Sequence, residues 1–143
     1  MKPERPAGTP GTGRLAGYHT LAGWDPYEDH IGPFYERMAN GSPECAVDIA
    51  HRHCNAGGIV HGGLLMAFAD YTAFVIAREA LGGMGATISM TSDFMAPVHS
   101  GDLLAAQGEV MRETRSMVFV RGCEFVGERT VFTFSTVIKK IRA

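Results

Sequence analysis

Asp70 stands inside an apolar run, Leu64 to Ala77, eight residues after the glycine of His61-Gly62-Gly63. Together the two features suit attack on a carbonyl. A glycine-rich helix start offers backbone N–H groups without intrahelical partners at the positive end of the helix dipole, and these stabilise an oxyanion or a polarised carbonyl. Glycine there has no Cβ to hold a ligand carbonyl away from the backbone. A carboxylate among apolar neighbours loses hydration, so it requires a partner, a water-filled pocket or a raised pKa, and such a group is a competent base. Helical spacing puts Gly62 and Asp70 about 12 Å apart along the axis, so one carbonyl cannot meet both within one chain. If both act on the same carbonyl, they come from two helices antiparallel across a two-fold axis, which predicts a dimer. An ordinary helix start accounts equally well for His-Gly-Gly taken alone, and close packing accounts for alanines 67, 69, 73 and 77.

The elements that must position these residues follow from periodicity. Apolar side chains from Leu64 to Ala77 cover nearly every direction of the wheel, which predicts a helix within a core, stopped by Gly82-Gly83 and Gly85. Pro43 to Cys54 alternates at strand period, with His51 and His53 on one face. Ala86 to Ala96 reads as a second strand, and Leu103 to Arg112, Arg115 to Val126 and Arg129 to Ile141 as three more joined by hairpins. Upstream, Asp25-Pro26 with Tyr27, Ile31, Phe34, Tyr35 and Met38 predicts a capped helix ending near Asn40-Gly41 and interrupted at Gly32-Pro33. Residues 1–20, rich in Pro, Gly and Thr, predict a mobile tail before a single domain over 21–143. The order gives an α+β fold in which an antiparallel sheet wraps one helix.

With 143 residues and 45% hydrophobic content the chain suits one domain with a real core. Thirteen basic against 15 acidic residues lack the basic excess that nucleic acid or an anionic membrane requires, so neither partner is expected. Cys45, Cys54 and Cys123 form an odd set without CxxC spacing, and no export signal precedes them; a reducing, cytoplasmic setting is expected. A membrane-spanning central helix would place Asp70 near mid-bilayer at roughly 2.5–3.5 kcal/mol, and is rejected. His51 and His53 lack a spaced third ligand, so they read as structural and no metal is expected. No G-x-S-x-G elbow is present. Arg112, Arg115, Arg121, Arg129, Lys139, Lys140 and Arg142 fit either solvated strand ends or contacts to nucleotide phosphates.

Asn55, His61-Gly62-Gly63, Asp70, Thr87, Phe94, Pro97, Gly101-Asp102 and the hairpin at Arg115 together resemble the hotdog-fold acyl-CoA thioesterases of the phenylacetate-pathway, PaaI-like type. The resemblance runs from Pro43 to Ile141. It implies a five-stranded antiparallel sheet around one long central helix, in homodimers that commonly pair into homotetramers. It implies hydrolysis of an aryl- or medium-chain acyl-CoA to free acid and CoA, without a cofactor. The Gly62 N–H would polarise the thioester carbonyl, and Asp70 of the other chain would act as general base or nucleophile. Asn55 would position the water or the carbonyl, and Thr87 would orient the water or the carboxylate. His61 and Gly63 would meet the thioester region, and Arg115 would bind CoA phosphate. Two other readings stay open: a hotdog hydratase or dehydratase, which pairs a histidine with a carboxylate, and a non-catalytic acyl-CoA-binding protein.

Overall fold

The computed structural model describes residues 4–141; residues 1–3 of the expected tail and Arg142 of the basic set lie outside them. In chain order the elements are β1 (Thr9–Pro10), β2 (His19–Thr20), α1 (Pro26–Ile31), β3 (Tyr35–Ala39), β4 (Ser42–Asp48), α2 (Gly62–Leu81), β5 (Met84–Phe94), β6 (Leu103–Glu113), β7 (Met117–Val126) and β8 (Arg129–Ile141). All strand pairs are antiparallel, in the order β1-β2-β3-β4-β6-β7-β8-β5. The five strands expected from the sequence are β4 to β8, and three shorter ones extend the sheet beyond β4.

Alternation on β7 shows how the sheet meets the helix. Val118, Val120 and Glu124 are buried towards α2, while Arg121 is exposed on the other face. The core forms where Leu65, Phe68 and Ala69 of α2 meet Leu104, Val118, Phe132 and Ile138 of the sheet. Gly82, at φ 61°, ends α2 in a left-handed conformation that glycine adopts freely.

Midway along the β6–β7 pair, Gly108 faces Gly122, and a Cβ at Gly122 would lie 2.5 Å from the Gln107 carbonyl oxygen and from the Phe134 ring. Gly122→Ala is therefore expected to destabilise the fold by about 1–3 kcal/mol, read as a lower urea midpoint with an unchanged slope. An unchanged midpoint would mean that the strands separate without cost.

Three sequence expectations are corrected. The stretch from residue 4 to 20 is laid against the sheet rather than loose: Leu15 and Tyr18 are buried with Ala46, beside Tyr35 and Leu103. Arg37 lies 4.2 Å over the Tyr18 ring, and the Tyr18 hydroxyl donates to Glu44. Two apolar residues were too few to mark the segment by composition. The predicted helix to Asn40 stops at Ile31, because the chain turns at Gly32-Pro33 and Asn40-Gly41, at φ 52° and 80°, forms the tight turn of a β3–β4 hairpin.

The third correction concerns β4, which ends at Asp48; His51–His53 is a single 3-10 turn. His53 Nδ1 accepts the Ala50 N–H at 2.9 Å, leaving Nε2 to donate to the Ile31 carbonyl at 2.6 Å. Arg52 donates to the His30 carbonyl at 3.1 Å and also to that of Gly32. These two side chains fix the end of α1. Among the described residues no helix is long and apolar enough to cross a membrane.

Candidate active site

The start of α2 is built as the glycines imply. His61 is its N-cap, with Nδ1 accepting the Gly63 N–H at 2.9 Å, and its own N–H donates to the His53 carbonyl at 2.9 Å. The Gly62 N–H has no acceptor among the described residues. A Cβ on Gly62 would meet the Phe94 ring at 3.0 Å, so the end of β5 closes on this turn and a larger residue would ask that ring to shift. Asn55 shapes the approach: its Oδ1 accepts the Gly57 N–H at 2.9 Å, and its side-chain amide nitrogen has no partner among the described residues. Asn55, His61, Gly62 and Gly63 thus gather at one end of the helix.

Asp70 lies two turns further on and is half-buried rather than enclosed. Met66, Asp70 and Phe74, spaced by one turn each, form a strip of α2 that the sheet does not cover. Thr87 Oγ1 donates to Asp70 Oδ1 at 2.6 Å. A bulge between Thr87 and Ser89, where the β5–β8 register shifts, sets this strand position. One chain does not bring Gly62 to Asp70, since about 12 Å of helix separates them.

Arg115, exposed on the β6–β7 turn, lines a shallow cavity of about 670 Å³ with Ser116, Lys139, Lys140 and Ala86, the residue before Thr87. Lys140 bonds Glu113 at 2.8 Å, Arg121 bonds Glu109 at 2.8 Å, and Arg129 bonds the Pro97 carbonyl at 3.1 Å. Arg115 and Lys139 are the cations of this cavity with no partner among the described residues.

On its other side Asp70 opens into a cleft of about 600 Å³ between α2 and residues 20–34, walled by Trp24, Phe34, Tyr71 and Phe74. Phe68 belongs to the core and Phe94 to the helix start, whereas Tyr71 and Phe74 face the cleft. Arg78, on the cleft wall, grips buried Glu36 with two bonds of 2.8 Å, joined by Arg5 and His19. Burial opposes the Glu36 charge, but Arg78, Arg5 and His19 prevail and hold the carboxyl below its ordinary range. The pair fastens β3 and the N-terminal strands across α2.

Glu28 also lines the cleft, and sequence reasoning missed it. Its place in the first turn of α1, three residues after Asp25, suggests a helix-capping acid. Asp25 alone supplies the cap, accepting the N–H groups of Tyr27 and Glu28 at 3.0 Å each, which leaves the Glu28 side chain to the cleft. Burial, then the neighbouring Asp25, Asp70 and Asp29, push the Glu28 carboxyl up to about 7 against the pull of Arg5.

The Thioesterase superfamily model matches residues 57–132, from the loop before α2 through β7 and into β8. The chain belongs to that superfamily. A Pseudomonas aeruginosa relative of this thioesterase-family chain, named as a candidate esterase (PA0474), is 34% identical over 125 residues, which cover 85% of the chain and 92% of the relative. A Haemophilus influenzae protein named an uncharacterised acyl-CoA thioester hydrolase is 29% identical over 97 residues, 58% of the chain and 63% of that protein. The solved structure of the Escherichia coli PaaI protein, from the phenylacetic acid degradation operon, matches at a TM-score of 0.73 with 20% identity, covering 84% of the chain and 87% of PaaI. The architecture is the hotdog fold.

Proposed function

We propose that this thioesterase-family protein hydrolyses acyl-CoA thioesters at a site shared by two copies of the chain. The observation that carries the reading is Asp70, held by Thr87 at the mouth of an aromatic-walled cleft. Asp70 of one copy takes a proton from water as the water oxygen bonds to the thioester carbon. The Gly62 N–H of the other copy stabilises the carbonyl oxygen as it becomes an oxyanion. The oxyanion then collapses, the C–S bond breaks, and CoA leaves as a thiolate that takes the proton held by Asp70, which restores the carboxylate.

Asn55 orients the water or the carbonyl from the loop before the helix, His61 and Gly63 hold the turn, and Arg115 with Lys139 meets the CoA phosphates. Support for a second copy comes from β5. Among the described residues it pairs with β8 on one side only, and its surface leaves Met84 51%, Ile88 52% and Phe94 57% exposed. Natural proteins cover or charge such an edge, and a second β5 strand across a two-fold axis covers this one.

The test is thiol release from short-, medium- and long-chain and arylacyl-CoAs, with hydration of enoyl-CoA as the competing measurement. Release from at least one class, without hydration, is expected. Thr87→Val keeps the shape and removes the bond to Asp70; it is expected to lower kcat by about 10- to 100-fold while KM changes little, as fits loss of one charge-assisted hydrogen bond. Hydration without hydrolysis would assign the site to a hydratase, and binding without turnover to a carrier.

A further inference from the structure

We propose that the cleft between α1 and α2 receives the acyl group, and that Glu28 selects acyl groups ending in an uncharged hydroxyl or oxo oxygen over those ending in a carboxylate. The inference rests on the acyl-CoA reading above. A thioester whose carbonyl lies at Asp70 has CoA running towards Arg115 and Lys139, past Ala86, and its acyl group running the other way. That way leads into the cleft of about 600 Å³, a volume typical of sites that enclose small ligands. Trp24, Phe34, Tyr71 and Phe74 supply apolar walls for the part of the acyl group nearest the thioester.

What the cleft offers at its polar end is decided by which groups are already engaged. Asp25 accepts the two N–H groups of the helix start, and Asp29 accepts the Gly23 N–H at 3.1 Å. Arg78 and Arg5 are committed to Glu36. The Glu28 carboxyl, although half-buried, bonds to nothing among the described residues and is left for a ligand. With a carboxyl titrating near 7, the protonated form donates to a hydroxyl or oxo oxygen and the ionised form accepts from a hydroxyl. A carboxylate at the end of the acyl chain would instead meet Glu28 flanked by Asp25, Asp29 and Asp70, with both nearby arginines already paired with Glu36.

The experiment compares hexanoyl-, 6-hydroxyhexanoyl- and adipoyl-CoA, and phenylacetyl- against 4-hydroxyphenylacetyl-CoA, in the wild type, Glu28→Gln and Glu28→Leu. Thiol release gives ratios of kcat/KM within each protein, so a general loss of activity cancels. The wild type is expected to favour a hydroxylated member over its hydrocarbon counterpart by up to about tenfold, the scale of one hydrogen bond in a dry site. Gln is expected to keep that preference, Leu to abolish it, and both to relieve the discrimination against adipoyl-CoA. Ratios unchanged in both variants would overturn the assignment, and so would an adipoyl group accepted as readily as hexanoyl by the wild type. The same five thioesters are added to the three proteins in melting experiments, where the ligand-induced shifts read the cleft without turnover. Absence of thiol release from every acyl-CoA would overturn the hydrolytic reading, while a Glu28-dependent difference in melting shifts would still uphold the cleft.

Discussion

Asp70→Asn is expected to lower kcat for thiol release by about 10²- to 10⁴-fold, the range over which a positioned base contributes, with binding of the thioester retained. The asparagine carbonyl oxygen can still accept the Thr87 hydroxyl, now 2.6 Å from Asp70 Oδ1, so the variant keeps the local geometry and loses only the basic oxygen. Full activity in the variant would remove Asp70 from the chemistry. A second measurement tests whether two chains share the site. Gly62→Pro removes the N–H at the first helical position, where proline is tolerated, and asks the Phe94 ring to shift by a few tenths of an ångström from its 3.0 Å approach. Each variant alone is expected to be inactive. Unfolded and refolded together, the two should recover about one quarter of wild-type sites, since half of the dimers are mixed and each has one intact site. A mixture as inactive as its parents would place both groups' work within one chain.

Glu124 gives the second large effect. It is fully buried on the core face of β7, opposite Ala106 on β6 and Phe132 on β8, and neither carboxyl oxygen has a hydrogen-bond partner among the described residues. Burial raises its pKa well above the ordinary 4.5. The sign follows from linkage: a folded-state carboxyl with a raised pKa leaves stability intact below about 4.5 and erodes it as pH rises, by about 1.4 kcal/mol per pH unit until the folded-state value is reached. Glu124→Met removes both the titration and the unsatisfied polar group. It is expected to be more stable than the wild type by about 1–3 kcal/mol from the polar group alone, with an advantage that widens between pH 4.5 and neutrality. Urea midpoints of the two proteins from pH 4.5 to 8 provide the check. Parallel curves would show that a partner satisfies Glu124 in solution.

Strong periodicity made most of the sheet legible. The strand read over Arg129 to Ile141 has those bounds in the structure, and those read over Leu103 to Arg112 and Arg115 to Val126 differ by one or two residues. Gly62 and Gly82 bracket α2 where helix-terminus chemistry puts them. The failures lie where polar residues face inward. Glu36 and Glu44 are buried in β3 and β4, satisfied by Arg78 and by Arg37, and an inward glutamate hides strand alternation from any count of apolar positions. That is why Tyr35–Ala39 looked like the end of a helix. His51 and His53 extended the apparent alternation of β4, although His53 turns back to cap Ala50.

At the site, Asp70 and Thr87 were readable as types at a spacing, but their contact depends on the bulge in β5. The open strip at Met66, Asp70 and Phe74 was not readable, because a helix apolar on every side looks the same whether its last face meets a sheet or a second chain. Glu28 was hidden because its first-turn position reads as capping, and only the folded path of residues 20–34 brings it over α2.

That path divides the protein by task. The groups proposed to break the thioester lie on α2 and β5, whereas the far wall of the cleft, from Thr20 through Trp24 and Glu28 to Phe34, belongs to one continuous stretch clamped from outside by His53 and Arg52 and followed by Glu36, which bonds Arg78 of α2. Evolution can therefore rewrite this wall, lengthening it, shortening it or exchanging its side chains, while Asp70 and Thr87 stay where the sheet holds them. In an engineered chain the same stretch, transplanted between relatives with its anchors, would be the unit that carries a change of acyl preference.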